Sequence, residues 1–117
     1  MSRVIIAGTR DFNNYPLLCR KLDYFLQNLT NIEIVSGCAR GADQMGEKYA
    51  QDHGLFIKRF PADWDSNGKA AGPIRNTQMA DYGTHLVAFW DGESKGTKNM
   101  IDTAKKKGLD IRILKTM

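Results

Sequence analysis

The chain is 117 residues long, 42% hydrophobic and 26% charged, with a net charge of +4. That length fits one domain, expected over residues 1–117, with a core that needs no staples. The composition excludes a disulfide framework, since Cys19 and Cys38 are the only cysteines, and it excludes a bilayer span, since the longest apolar runs, 4–7 and 86–90, are far too short.

Strand and helix signals alternate along the whole chain. Arg3–Ala7 is a β-branched run ended by Gly8. A helix is expected over Tyr15–Asn28, where Leu18, Leu22, Phe25, Leu26 and Leu29 recur at three- and four-residue steps. Asn14 is placed to cap it, and Pro16 is tolerated in a first turn. Ile32–Ser36 is a second strand. Ala42–His53 is a second helix, with Gly54 as its C′ residue. Leu55–Phe60 is a third strand. Pro61–Gly72 is read as irregular, and Pro73 as the first position of a third helix ending near Gly83. His85–Trp90 is a fourth strand, Thr97–Lys107 a fourth helix closed by Gly108, and Asp110–Leu114 a fifth strand.

Strands that are apolar nearly throughout predict a sheet covered on both faces. Strict alternation with helices predicts a parallel sheet. The fold class is therefore α/β: a Rossmann-like single domain with a five-stranded, mostly parallel sheet flanked by helices. A strand order of 3-2-1-4-5 places a switch point between strands 1 and 4, where ligands bind in such sheets.

Four strand-ending loops then meet at one sheet edge. In Gly8-Thr9-Arg10-Asp11-Phe12, the glycine admits a close ligand, Thr9 can donate and Arg10 can pair with phosphate. An ordinary turn reads equally well. In Ser36-Gly37-Cys38-Ala39-Arg40-Gly41-Ala42-Asp43, two glycines flank a helix start, as in phosphate-binding turns, without the Gly-Lys-Ser/Thr of a Walker loop. Asp43 suits either a ribose hydroxyl or helix capping. In the third loop Trp64 either stacks on a base or packs the loop. Lys69, Arg75 and Asn76 follow, the last two expected in a first helical turn suited to an anion. In the fourth loop Ser94, Gly96 and Thr97 offer small donors at another helix start.

Other polar residues read as structural. Cys38 has the glycine and arginine neighbours that can lower a thiol pKa, but no base is positioned for it. His53 suits a helix C-terminus, and His85 begins a strand. No Cys/His cluster has metal spacing, so neither a metal nor a cofactor is expected. No signal peptide pattern is present at the start, so the expected location is the cytoplasm and the expected partners do not include a membrane.

The four loops together resemble the YspA-like, YpsA-related branch of the SLOG superfamily. The motifs that carry the likeness are Gly8-Thr9-Arg10-Asp11-Phe12, Ser36 through Asp43, Phe60-Pro61-Ala62-Asp63-Trp64, Gly68 through Asn76, and Ser94-Lys95-Gly96-Thr97. The resemblance implies a Rossmann-like fold with a nucleotide site, and related members pair through helices, so a homodimer is an expectation. It does not by itself imply catalysis. Relatives that hydrolyse nucleotides, the LOG phosphoribohydrolases, carry Pro-Gly-Gly-x-Gly-Thr-x-x-Glu. Here the Pro-Gly-Gly is missing and Met100 stands at the Glu position.

Three readings follow. The first is a binding module for a nucleotide or nucleotide-derived small molecule, as a sensor or a sequestering protein, with a phage or mobile element as one source. The second is an N-glycosidic nucleotide hydrolase in which Asp43, Asp91 or Glu93 replaces the missing acid. The third is single-stranded DNA binding, as in DprA. A charge of +4 and the absence of an aromatic series weigh against that last reading.

Overall fold

The β-branched run near the start forms β1 (Ser2–Gly8), the middle strand of a five-stranded sheet. The computed structural model describes residues 1–116. The other strands are β2 (Ile32–Ser36), β3 (Phe56–Arg59), β4 (His85–Trp90) and β5 (Asp110–Lys115). The order is β3-β2-β1-β4-β5, as expected, and every pairing is parallel. Ile5 of β1 stands opposite Val35 on one side and Leu86 on the other.

Side chains of β1 alternate between two cores. Val4 and Ile6 pack with Leu18, Leu22 and Leu26 of α1 (Tyr15–Leu26) and with Tyr49 and Ala50 of α2 (Ala42–Asp52). Ile5 and Ala7 face Met79 and Ala80 of α4 (Ala71–Tyr82), and Met100, Ile101 and Ala104 of α5 (Lys95–Lys106). Each of the three central strands is thus sealed on both faces. The edge strands are not: Phe56 is 78% and Ile113 44% exposed. No residue of either edge strand is fully buried: Ile57, Ile111 and Leu114 are half-buried, Ile111 and Leu114 against opposite cores.

The helix caps follow local chemistry. The Asn14 side chain accepts the Leu17 N–H at 3.1 Å, and Ser94 accepts the Thr97 N–H at 3.3 Å. The serine therefore starts α5 at Lys95, two residues ahead of the expected Thr97. Gly54, past the end of α2, has φ +67°, the left-handed value a C′ glycine supplies.

The stretch expected to be irregular is instead largely helical. It holds α3 (Trp64–Asn67), a 3₁₀ turn (Gly68–Ala70) and the start of α4 at Ala71. Pro73 is the third residue of α4, not the first. The first helical turn has no internal partners for its N–H groups, so proline loses nothing there. No helix among the described residues is long and apolar enough to cross a membrane.

Candidate functional site

The chain runs from β1 outward to β3, then crosses to β4 and β5 on the other side. At the carboxyl ends, β1 and β4 are followed by connections that diverge, which leaves a crevice. A cavity of about 280 Å³ opens there. It brings together Gly8 and Arg10 from the first loop, Asp43 from α2, Trp64, Arg75 and Asn76 from the third connection, and Ser94, Gly96 and Thr97 at the start of α5. A second hollow of about 270 Å³ adjoins it and holds Gly37 and Arg40. Arg10, Trp64 and Arg75 line both.

Arg75 is held in place by a chain of hydrogen bonds across the crevice. Its Nη1 donates to the Gly37 carbonyl, and its Nε donates to Asn76 Oδ1 at 3.0 Å. Asn76 Nδ2 donates in turn to Asn99 Oδ1 at 2.9 Å and to the Gly96 carbonyl at 3.4 Å. Loop two, α4 and α5 are thereby tied together around one guanidinium. Arg75 lies in the second turn of α4 rather than the expected first, and it is half-buried. The preceding 3₁₀ turn uses the Ala71 N–H, which donates to Gly68, so that end of α4 offers fewer free donors than expected.

Asp43 is the buried acid of the site, 5% exposed. Burial raises its pKa to about 7, against the opposing pull of the Arg75 charge and the N–H groups of Ala39 and Gly37. Gly37 makes this packing possible. A Cβ there would lie 2.7 Å from Arg75 Nη1 and 2.8 Å from Asp43 Oδ2.

Some expected residues support the loops and do not face the cavity. Thr9 is buried, and its Oγ1 accepts the Asp91 N–H at 3.2 Å, which joins the first loop to the fourth. Ser36 Oγ donates to Glu47 at 2.6 Å and accepts the Cys38 N–H. Gly41 has φ +79°, and a Cβ there would collide with the Thr9 and Arg10 carbonyls. Lys69 is exposed on the 3₁₀ turn and lines neither hollow. Gly8 lines the cavity, but it also lets α2 in close, since a Cβ would lie 2.8 Å from Ala42 Cβ.

Cys38 keeps the structural reading made from the sequence. Burial, and then the Glu47 charge, raise the Cys38 pKa despite the opposing Arg59, so this thiol is not activated. Of the three acids named as replacements for the missing Glu, Asp43 alone lines the cavity. Asp91 caps its own turn, accepting the Glu93 and Ser94 N–H groups at 2.8 Å each, and these bonds lower its pKa. Glu93 is exposed.

Asn99 and Met100 also line the cavity and were not anticipated as binding residues. Their positions three and four residues after Gly96 put them on one helix face, which is the signal that identifies them. Met100 is 1% exposed.

Comparisons with known proteins agree with this architecture. The DNA processing protein A (DprA) of Streptococcus pneumoniae shares the fold, with a TM-score of 0.75 at 18% identity. That match covers 99% of this chain and 50% of the DprA chain, so the present chain spans half the length of that relative. The Gene 61 protein of Mycobacterium phage D29 is 31% identical over 118 residues, covering 95% of this chain and 94% of the phage protein. The family model described as "YspA, cpYpsA-related SLOG family" matches residues 2–66, which include the first two loops and Trp64. With its motifs, fold and phage relative in agreement, the chain belongs to the YspA, cpYpsA-related SLOG family.

Proposed function

We propose that the chain binds a nucleotide or a nucleotide-derived, phosphate- and ribose-bearing small molecule at the switch-point cavity, as a sensor or sequestering module. The observation that carries this reading is the convergence on one cavity of Arg10, Arg75, the start of α5 and Trp64. Guanidinium groups and a helix N-terminus suit phosphate. The half-exposed Trp64 offers a face to a base. Asp43 and Asn99 are hydrogen-bonding groups of the kind a ribose uses. The volume, about 280 Å³, lies near the lower end of ligand sites, about 300–1,000 Å³, which suits one nucleoside unit. The phage relative supports a phage or mobile-element setting.

Native mass spectrometry of protein purified from cells, followed by calorimetry against a panel of nucleotides, tests this. The expected result is a co-purified or titratable nucleotide. Absence of both overturns the reading.

Asp43 favours a second reading, nucleotide N-glycosidic hydrolysis. A carboxyl with a pKa of about 7 is poised to exchange a proton near neutrality. The likeness to a DNA-processing protein supports single-stranded DNA as a competing ligand, and a short oligonucleotide belongs in the same panel.

A further inference from the structure

We infer that the second hollow is an anion subsite of its own, and that the ligand is a nucleotide with at least two linked phosphates rather than a monophosphate. This rests on the nucleotide reading of the first cavity. The hollow is lined by Arg10, Arg40 and Arg75, and by no carboxylate. Its remaining walls are small or apolar: Gly37, Cys38, Ala39, Pro61, Ala62 and Trp64.

Three guanidinium groups around one hollow repel one another unless an anion lies between them. Two other surface arginines are paired, Arg59 with Glu47 and Arg112 with Asp110. Among the described residues, neither Arg10 nor Arg40 has an ion-pair or side-chain hydrogen-bond partner. Arg75 commits Nε and Nη1 to Asn76 and Gly37, and its Nη2 has no partner among those residues. Arg75 has Asp43 beside it, whereas Arg10 and Arg40 bring unpaired positive charge to this hollow.

The two chambers share Arg10, Ala39, Trp64 and Arg75 as their common wall. Their volumes are similar, about 280 and 270 Å³. Asp43 faces the first chamber and not the second. The first chamber therefore offers mixed polarity and a carboxyl, which suits a nucleoside. The second offers cations alone, which suits a phosphate. A ligand that spans both chambers crosses this shared wall, so a diphosphate can extend from the nucleoside side to the Arg40 side.

Arg40 lines only the second chamber and is exposed, so Arg40→Ala leaves the fold and the first chamber intact. The experiment is calorimetry of wild-type and Arg40→Ala protein with matched nucleoside mono- and diphosphates, inorganic pyrophosphate and a short single-stranded oligonucleotide. The expected result is that the best-bound base binds at least about tenfold more tightly as its diphosphate, and that Arg40→Ala removes this advantage without changing monophosphate affinity. Equal wild-type affinities for mono- and diphosphate, or an equal loss for both in the variant, overturn the inference while leaving the nucleotide reading standing. Arg40-dependent binding of pyrophosphate with no nucleotide bound supports the anion subsite and overturns the nucleotide reading. Oligonucleotide binding tighter than any diphosphate overturns the small-molecule assignment of both chambers.

Discussion

The charge on Asp43 couples stability to pH in a direction opposite to most carboxylates. Its pKa is about 7 in the folded chain against an ordinary 3.8. The folded state therefore holds this proton more tightly than the unfolded state. Below the ordinary value both states are protonated and the group costs nothing. As pH rises from about 4 to about 7 the folded state is progressively penalised, and above that the penalty is constant. Asp43→Asn removes the titration while keeping an oxygen for the Ala39 N–H. Thermal melts should show the variant gaining on the wild type between about pH 4 and about pH 7, with no further gain above that. A gap that stays constant with pH would mean that the carboxyl is solvated. Arg75→Ala should lower ligand affinity by about 1.5–3 kcal/mol, read by calorimetry with the best-bound nucleotide. Because Arg75 also bonds Gly37 and Asn76, the variant should lose about 1 kcal/mol of stability in urea as well. Arg75→Lys should recover little of either, since an ammonium lacks the two-armed fork.

Among the elements, those with several turns or an alternating strand pattern were legible in the sequence, and the short ones were not. Leu18, Leu22 and Leu26 mark α1 because a helix needs several turns before a 3.6-residue period appears. α3 has one turn, and its signal is local: Asp63 accepts the Ser66 N–H at 3.1 Å. Pro73 misled the placement of α4, since proline is tolerated anywhere in a first turn. The placement of Arg75 shifted with it. Loop chemistry was legible in residue type but not in facing. Thr9 and Ser36 sit in loops read as ligand-binding, yet Thr9 Oγ1 is engaged by the fourth loop and Ser36 Oγ by Glu47 of α2. Which of two polar partners a hydroxyl takes depends on contacts 82 residues away in the case of Thr9, and no local pattern encodes that. Gly41 is the clearest loop determinant. Its φ of +79° and its contact with the Thr9 and Arg10 carbonyls make Gly41→Ala destabilising by about 1–3 kcal/mol or more in chemical denaturation. Gly96→Ala should cost far less, because a Cβ there meets nothing within 4 Å.

For the whole molecule, the arrangement of two helical layers about one parallel sheet decides what the site can do. Alternation implies a parallel sheet but does not fix the strand order, and the place of the crevice follows only once the order 3-2-1-4-5 is adopted. The division into two chambers does not follow even then, because it depends on where Trp64 and Arg75 sit relative to loop two. Met100 occupies the cavity wall at the position where the phosphoribohydrolase resemblance places a glutamate, and it is buried among apolar neighbours. A thioether neither takes a proton nor offsets positive charge on a ribose. Long incubation of purified protein with nucleoside monophosphates should therefore release little or no free base, read by chromatography. Robust release that Asp43→Asn abolishes would promote hydrolysis over binding.

The central position of β1 also bears on how the chain reaches its native state. Its register with β4 joins Val4 to His85 and Gly8 to Phe89, so that side of the strand stays unpaired until most of the polypeptide has been made. Until then its Ile5 face has no cover, since Met79, Met100 and Ile101 arrive from late helices. Such distant pairing slows folding and leaves a sticky edge exposed on the ribosome. Assembly is thus committed by β4, and substitutions that weaken the β1–β4 seam, such as Val87→Ala, should slow refolding in stopped-flow measurements, whereas changes at the outer β5 seam should chiefly speed unfolding.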